Sequence, residues 1–466
     1  MSFSILQQGS SKRVVLVDLQ YPYGKKKVYL SGSLTAFAAC CIAAGHVVEL
    51  VDYNIDQWNS VRVQELFAQA QVIGVSVVGS PYFPQTIAFC QYVAENYPHA
   101  KLLLGGQVIR GLSADEFRRI FGKRAIQIAT LSDSEPILGV LQSPLSVPLQ
   151  PVWEKIGDER LLLYLSGREF SLLLSQGCVF GCHFCAADKG VKEEHRPLGV
   201  FESDMNYLRS KALEFGLIKL ECYASSLDFF QNPEVVAGRL RVLVELFNQD
   251  SAAGRIELKV RALCCMKTFL KASRQIPDFA SLVKKSGLWC VGFGIDGPNK
   301  EVWKQQNKMQ NDAHDIVECL DLCQEIGIRS EVLMIMGYPN NTLSHLVATA
   351  VDCFRYIWRW RNTVLRPYLA KTLLPGNLGW DIQPQQIEKL IANPRQFYNL
   401  DLCALGSPVT HPRMWQRWHA NLSFLVVILG SALFGRCASS PLIPQGSRGP
   451  VGLMAKLINR YMPFDR

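Results

Sequence analysis

The chain of 466 residues is long enough for two or three domains with full-sized cores, and 48 % hydrophobic against 19 % charged residues excludes a disordered chain. The net charge of +9 is unevenly spread: seven basic residues and one acid lie between His411 and Arg466, in a segment without a basic–aromatic recognition pattern, which argues against a nucleic-acid partner. Fifteen cysteines, scattered and partly adjacent, exclude the paired framework of a small secreted domain, and the start of the chain lacks a signal-peptide pattern, so a reducing cytoplasm is expected.

From Arg13 to about Leu141, short apolar runs alternate with helical stretches. RVVLVDL (13–19), HVVELVD (46–52), VIGVSVV (72–78), KLLLGG (101–106) and AIQIAT (125–130) read as buried strands, with helices at 33–44, 61–70, 84–98 and 113–121. Continuous Val/Ile/Leu runs separated by helices predict a parallel sheet covered on both faces, hence a doubly wound, Rossmann-like α/β domain over 1–141. Its ligand would lie beyond the carboxyl ends of the strands.

Residues 142–168 hold Pro144, Pro148 and Pro151 and read as a linker. A second series of strand–helix units follows over 169–380: FSLLLS (170–175), LIKLECY (217–223), IELKVRA (256–262), LWCVGFGI (288–295), IRSEVLMIM (328–336) and the stretch near Val364 to Ala370. In residues 312–327, Ile316, Cys319, Leu320, Cys323 and Ile326 recur at helical spacing. Six such units predict a partial (β/α)6 barrel. The C-terminal extension, 381–466, reads as mostly helical, and its apolar run LSFLVVILGSALFG (422–435) is too short to span a bilayer, which needs about 20 residues. A core helix is one reading of this run, and a basic-flanked surface touching a membrane or a lipid is the other.

The chemistry-bearing motif is SQGCVFGCHFCAADKG, at the end of the first barrel strand. Cys178, Cys182 and Cys185 are spaced C-x3-C-x2-C, beside Gly177 and Gly181. Three thiolates can hold three irons of a cubane and leave the fourth open, and the glycines let the backbone turn around a bulky cluster. A zinc site is the competing reading, but zinc usually takes four ligands, and His183 stands awkwardly between two of the cysteines.

This motif resembles that of the radical S-adenosylmethionine superfamily, with Phe184 where that family contacts the adenine. LWCVGFGIDGPNKEVWKQQNK (288–308), EVLMIMGYPNNT (331–342) and LLPGN (373–377) are similar to its later strand segments. The resemblance implies a 4Fe–4S cluster, S-adenosylmethionine as co-substrate and reductive cleavage to a 5′-deoxyadenosyl radical. It implies cofactor contacts from Phe184, from Ser225 and Ser226 where many members carry Gly-Gly-Glu, from Arg261, and from Asp296 near the ribose.

The N-terminal domain is similar to the cobalamin-binding domain of one branch of that superfamily, through LSGSLTAFAACCIAAGHVVELVDYN (30–54), QVIGVSVVGS (71–80), KLLLGGQ (101–107) and LSDSEP (131–136). Ser76, Ser80, Gly105, Gly106 and Glu135 are the implied cobalamin contacts. The Asp-x-His-x-x-Gly signature is not kept: Asp18 is followed by Gln20, so this position offers no histidine to cobalt.

The expected function is therefore cobalamin-dependent methylation of an unactivated carbon. A radical rearrangement or cyclisation is the alternative within the enzyme class, and a non-catalytic iron–sulfur accessory protein is the alternative outside it. The expected partners are a small-molecule or lipid-like substrate, anionic in one reading, and a one-electron reductant such as flavodoxin or ferredoxin. The basic, apolar tail adds membrane-surface contact as a further expectation.

Overall fold

Five runs of Val, Ile and Leu form the first sheet of the computed structural model, which describes residues 10–20, 30–79, 82–167, 169–185, 187, 189–338, 341–369, 392 and 414–437. They are β1 (Arg13–Asp18), β2 (Val47–Asp52), β3 (Val72–Ser76), β4 (Lys101–Gly105) and β5 (Ala125–Ile128). All pair in parallel, in the order β2-β1-β3-β4-β5, with Arg13 opposite Val47 and Val72 opposite Lys101. Strand alternation divides the side chains between two cores. Val15, Val17, Ile73 and Val75 pack with Phe67, Phe89 and Phe117 from helices on one face. Val14 and Leu16 point the other way, into a core shared with the rest of the protein.

That shared core is reached through the helix Gly32–Ala43, whose Leu34, Ala36, Ala38, Ala39, Cys40 and Cys41 are all buried. An apolar helix of this kind belongs between two layers rather than on a surface. Its first residue lies against the second sheet: a Cβ on Gly32 would stand 3.0 Å from Ser171 Oγ and 3.1 Å from the Ser171 carbonyl.

The stretch read as a linker contains two short helices, Gln150–Ile156 and Asp158–Leu165. Pro151 sits in the first turn of the former, where a missing N–H costs nothing. Trp153 is buried against Phe170 and Tyr207. The Tyr164 hydroxyl donates to Asp52 Oδ2 at 2.9 Å, and Arg160 pairs with Asp56 at 2.9 Å. The segment is thus a packed strut between the sheets.

The second sheet runs from β6 (Phe170–Leu173), past the two-residue strands β7 (Ser175–Gln176) and β8 (Glu194–His195), to β9 (Lys219–Ser225), β10 (Glu257–Cys264), β11 (Leu288–Gly294), β12 (Arg329–Met336) and β13 (Thr363–Leu369). Six strands pair in parallel in the order β13-β12-β11-β10-β9-β6. β7 and β8 pair antiparallel and close the neck of the cysteine loop. The six strand–helix units match the expected partial barrel, including the helix Ala313–Ile326, with Ile316, Cys319, Leu320, Cys323 and Ile326 buried.

Of the C-terminal extension, the helix Met414–Leu433 is described. It packs on the helix Leu343–Arg359 and on β13. Val427, Ile428 and Ala432 are buried, while Trp418, Leu422, Leu433 and Phe434 are exposed. The apolar run is therefore a core helix on one face only. Among the described residues, no helix is long and apolar enough to cross a membrane. The LLPGN element lies outside the described residues.

Candidate cofactor site

The cysteine loop leaves β7 through Gly177, whose φ of +87° only glycine adopts without strain. A Cβ there would also meet the Lys192 carbonyl at 2.8 Å. Cys178, Cys182 and Cys185 then line one cavity of about 170 Å3, together with Phe184, Lys189, Asp228, Cys265, Asp296, Lys308 and Gln310. It opens at the carboxyl ends of the barrel strands, with Gly292 and Gly294 of β11 forming its floor.

The donor set fits a cluster. Among the described residues, the three cysteine sulfurs do not all converge within 4.8 Å, as ligands of one zinc would at roughly 3.8 Å apart for Zn–S bonds of about 2.3 Å. Nor, among the described residues, does His183 join a metal-sized group with the cysteines; its Nδ1 lies 3.1 Å from the Gln305 carbonyl, and its backbone N–H donates to the Gln306 carbonyl at 2.9 Å. Burial, with the neighbouring thiols and Asp228 adding to it, pushes the Cys178 thiol up to about 11. Burial also raises the Cys185 thiol, and thiols held out of water in this way are costly to ionise unless a metal takes the charge.

Cationic and amide groups surround these sulfurs. Lys189 Nζ donates to the carbonyls of Cys182 (3.1 Å) and Cys185 (2.6 Å). Lys308 is buried against Asp296 Oδ2, and its ammonium lies 5.4 Å from the centre of the Phe184 ring. Gln310 Nε2 donates to Cys182 Sγ at 3.4 Å. Asp296 has a φ of +53° and sits in the cavity wall. Phe184 leans on Tyr338, ring centres 6.0 Å apart, and forms an apolar side of the cavity.

Asp228 carries a signal that the strand pattern did not reveal. It is buried, with Oδ1 accepting from Thr268 Oγ1 (2.8 Å) and from the Cys265 N–H (3.3 Å), while Oδ2 has no hydrogen-bond partner among the described residues. Desolvation raises its pKa to about 7. A carboxylate three residues past a strand end, in a sequence lacking the usual acidic element, was the available clue.

The two serines expected at this point do not line the cavity. Ser226 Oγ is bound to Ser175 Oγ at 2.6 Å and to Glu193 Oε1 at 3.2 Å, and the Ser225 carbonyl accepts from Leu174. Arg261 is not brought there either. It lies two residues before Leu263, which does line the cavity, and it is held by Glu169 (2.6 Å), by Glu331 (3.2 Å) and by the face of Tyr223. Arg366 pairs with the other side of Glu331 at 2.8 Å. Arg261 thus belongs to an ion network inside the barrel wall, deeper than the cysteines.

A second cavity, of about 190 Å3, opens at the carboxyl ends of the first sheet. Ser76, Gly105 and Gly106 line it, as expected for a site beyond those strands, with Ser33, Gly74, Arg110 and Thr130. Gly106 has a φ of +109°, and a Cβ on it would stand 2.5 Å from the Val77 carbonyl, so the wall admits no side chain there. Neutral hydroxyls and bare backbone fit a large ligand fringed with amides, and among the described residues no histidine lines this cavity. Glu135 is exposed and lies outside the lining, and Ser80 lies outside the described residues. The same cavity is lined by Gln176, two residues before Cys178.

Comparison with known proteins agrees with this layout. Residues 172–353 match the family described as the Radical SAM superfamily. A curated tryptophan 2-C-methyltransferase from Streptomyces laurentii is 24 % identical over 224 residues, which cover 47 % of this chain. The match spans only 35 % of that relative's length. Among solved structures, the radical S-adenosylmethionine methyltransferase TsrM from Kitasatospora setae, with tryptophan and a S-adenosylmethionine analogue bound, aligns with a TM-score of 0.57 at 17 % identity, covering 78 % of this chain and 75 % of that one. The cobalamin-dependent radical enzyme OxsB, with aqua-cobalamin bound, aligns with a TM-score of 0.56 at 14 % identity, covering 83 % of this chain and 56 % of that one. At these identities the likeness establishes a shared fold.

Proposed function

Residues 172–353 belong to the radical S-adenosylmethionine superfamily, and from that premise we propose that the chain is an enzyme that cleaves S-adenosylmethionine reductively and methylates an unactivated carbon of a small molecule with the help of cobalamin. The observation that carries this reading is the seam between the two cavities. Gln176 lines one and Cys178 lines the other, so two cofactors bound there would face each other across a two-residue step. When bound, a cluster on Cys178, Cys182 and Cys185 supplies the electron that opens the carbon–sulfur bond, and a corrin supplies a transferable methyl group.

The chain's own residues then bind and orient. Phe184 and Tyr338 offer an apolar wall suited to a flat base. Asp296, in the cavity wall, is the carboxylate that would accept from a ribose hydroxyl. Asp228 Oδ2, buried and unpartnered, is suited to accept from an ammonium, and a bound cation would return its carboxyl toward the ionised form. Gly106 and Ser76 let a large ring lie close to the strand ends. Flavodoxin or ferredoxin would deliver the electron. The aromatic face made by Trp358, Trp418, Leu422 and Phe434 is where a lipid-like substrate or a membrane surface would touch, and co-sedimentation with anionic vesicles tests it.

The test is anaerobic reconstitution with iron, sulfide and hydroxocobalamin, then incubation with dithionite, S-adenosylmethionine and candidate substrates, tryptophan among them. The reading predicts 5′-deoxyadenosine and a product heavier by one methyl group. A fully loaded cluster that releases neither 5′-deoxyadenosine nor a methylated product would sink it. Deoxyadenosine with an isomerised, unmethylated product would favour rearrangement.

A further inference from the structure

Between the helices Lys300–Gln305 and Ala313–Ile326, the chain crosses the cysteine loop as a strap. It is pinned at several points. Asn307 Nδ2 donates to the Gly181 carbonyl at 2.9 Å, and the Gln306 carbonyl accepts from the His183 N–H at 2.9 Å. Asn311 Nδ2 donates to the Ile295 carbonyl at 2.8 Å. Asn307 holds a left-handed φ of +49°, so the strap's path is specified rather than slack. A strap that only closed the barrel would not need to aim polar groups inward. This one delivers two: the Gln310 amide at 3.4 Å from Cys182 Sγ, and the Lys308 ammonium, buried between Asp296 and Phe184. Gly294 leaves the space for that pair, since a Cβ there would stand 2.8 Å from Asp296 Oδ2 and 2.9 Å from Lys308 Nζ.

We propose that the strap over residues 306–312 sets the reduction potential of the cluster, through the Gln310 N–H bond to the Cys182 sulfur and the buried charge of Lys308. This rests on the cluster reading above. A 4Fe–4S core with three thiolates gains one electron and one more unit of negative charge on reduction. Burial opposes that gain, and an N–H donor on sulfur or a fixed cation nearby offsets it. Both groups therefore raise the potential and make the electron easier to accept. Gln310 and Lys308 are positioning residues in this role: they act on the electron's energy through Cys182, without touching a substrate.

The experiment is a potentiometric titration of the reconstituted full-length protein, followed by the electron-paramagnetic-resonance signal of the reduced cluster without S-adenosylmethionine. Gln310→Leu should lower the reduced-to-oxidised ratio at a fixed potential by about tenfold, a shift of about 59 mV for one electron. Gln310→Glu, which replaces the donor with a carboxylate, should lower it further. Gln305→Leu, at the helix end that leads into the strap and without a contact to sulfur, should titrate as wild type. An unchanged potential in a fully loaded Gln310→Leu protein would overturn the inference. A cluster lost from both Gln310 variants in a folded protein would make Gln310 an assembly residue and overturn it equally. Failure of the wild-type chain to load a cluster on its three cysteines would instead remove the functional reading beneath it.

Discussion

On the proposed cluster reading, each of Cys178, Cys182 and Cys185 is indispensable, since three thiolates are the minimum that can hold a cubane by three corners. Cys182→Ala should therefore abolish the broad visible absorbance of the reconstituted protein, while leaving its far-ultraviolet circular dichroism unchanged. Glu331 is the second residue with a sharp consequence. It is buried between Arg366 and Arg261, and although desolvation acts to raise its pKa, the two guanidinium groups prevail and hold it below the ordinary glutamate value. In the unfolded chain its carboxyl takes up a proton at a higher pH than in the fold. The stability it contributes is thus present above the ordinary glutamate pKa and drains away as pH falls through the lower folded value. Denaturant titrations from neutral pH to about pH 3 should show this loss in wild type and a shallower acid limb in Glu331→Gln. At neutral pH the variant should be less stable by about 1–3 kcal/mol, because the half-buried Arg366 loses its carboxylate partner while Arg261 keeps Glu169.

Among the elements, the cysteine loop depends on its neck. β7 and β8 are only two residues each, and Gly177 must adopt a positive φ in contact with the Lys192 carbonyl. Gly177→Ala should keep the barrel folded but lower cluster loading, read as iron and sulfide per chain, because the Cβ would push Cys178 off its corner. The strut over residues 150–165 behaves differently from the sequence expectation. Its one proline, Pro151, marks a helix start inside the stretch read as a linker, and the signal that could have shown this was Trp153 and Tyr164 at positions that a loop would leave exposed. Strand positions, by contrast, were legible within a residue or two, since buried parallel strands are continuous apolar runs that little else in a chain imitates.

At the scale of the whole molecule, the two sheets share one core, and the buried Arg196–Asp204 ion pair braces their junction. Arg196, which follows β8, donates to Asp204, to the Val147 carbonyl at 2.7 Å and to the Pro144 carbonyl at 3.3 Å. Pro144 lines the first-sheet cavity, so this one guanidinium connects the wall of that cavity to the return of the cysteine loop. Arg196→Ala should cost about 3–5 kcal/mol in denaturant unfolding by stranding Asp204. It should weaken hydroxocobalamin binding as well as cluster loading. Gly106→Ala, at the far wall, should weaken only the former, read by corrin absorbance retained after gel filtration.

The sequence by itself determined the strands, the doubly wound class of the first domain, the partial barrel and the place of the C-x3-C-x2-C motif at its mouth. These are local properties: apolar runs, turn glycines and a short motif whose spacing carries its own chemistry. Only the tertiary structure decided which of the remaining polar residues reach the site. Arg261, Ser225 and Ser226 occupy suggestive positions in the chain, but their partners come from distant strands and loops: Glu169, Glu331 and Tyr223 for the arginine, Leu174 for Ser225, and Glu193 and Ser175 for Ser226. Asp228, Lys308 and Gln310 sit at unremarked positions, yet the barrel curves them onto the cysteines. A parallel sheet brings together strand ends that are 30 to 40 residues apart in sequence, so which side chains converge is set by pairing across the sheet and not by any neighbour along the chain.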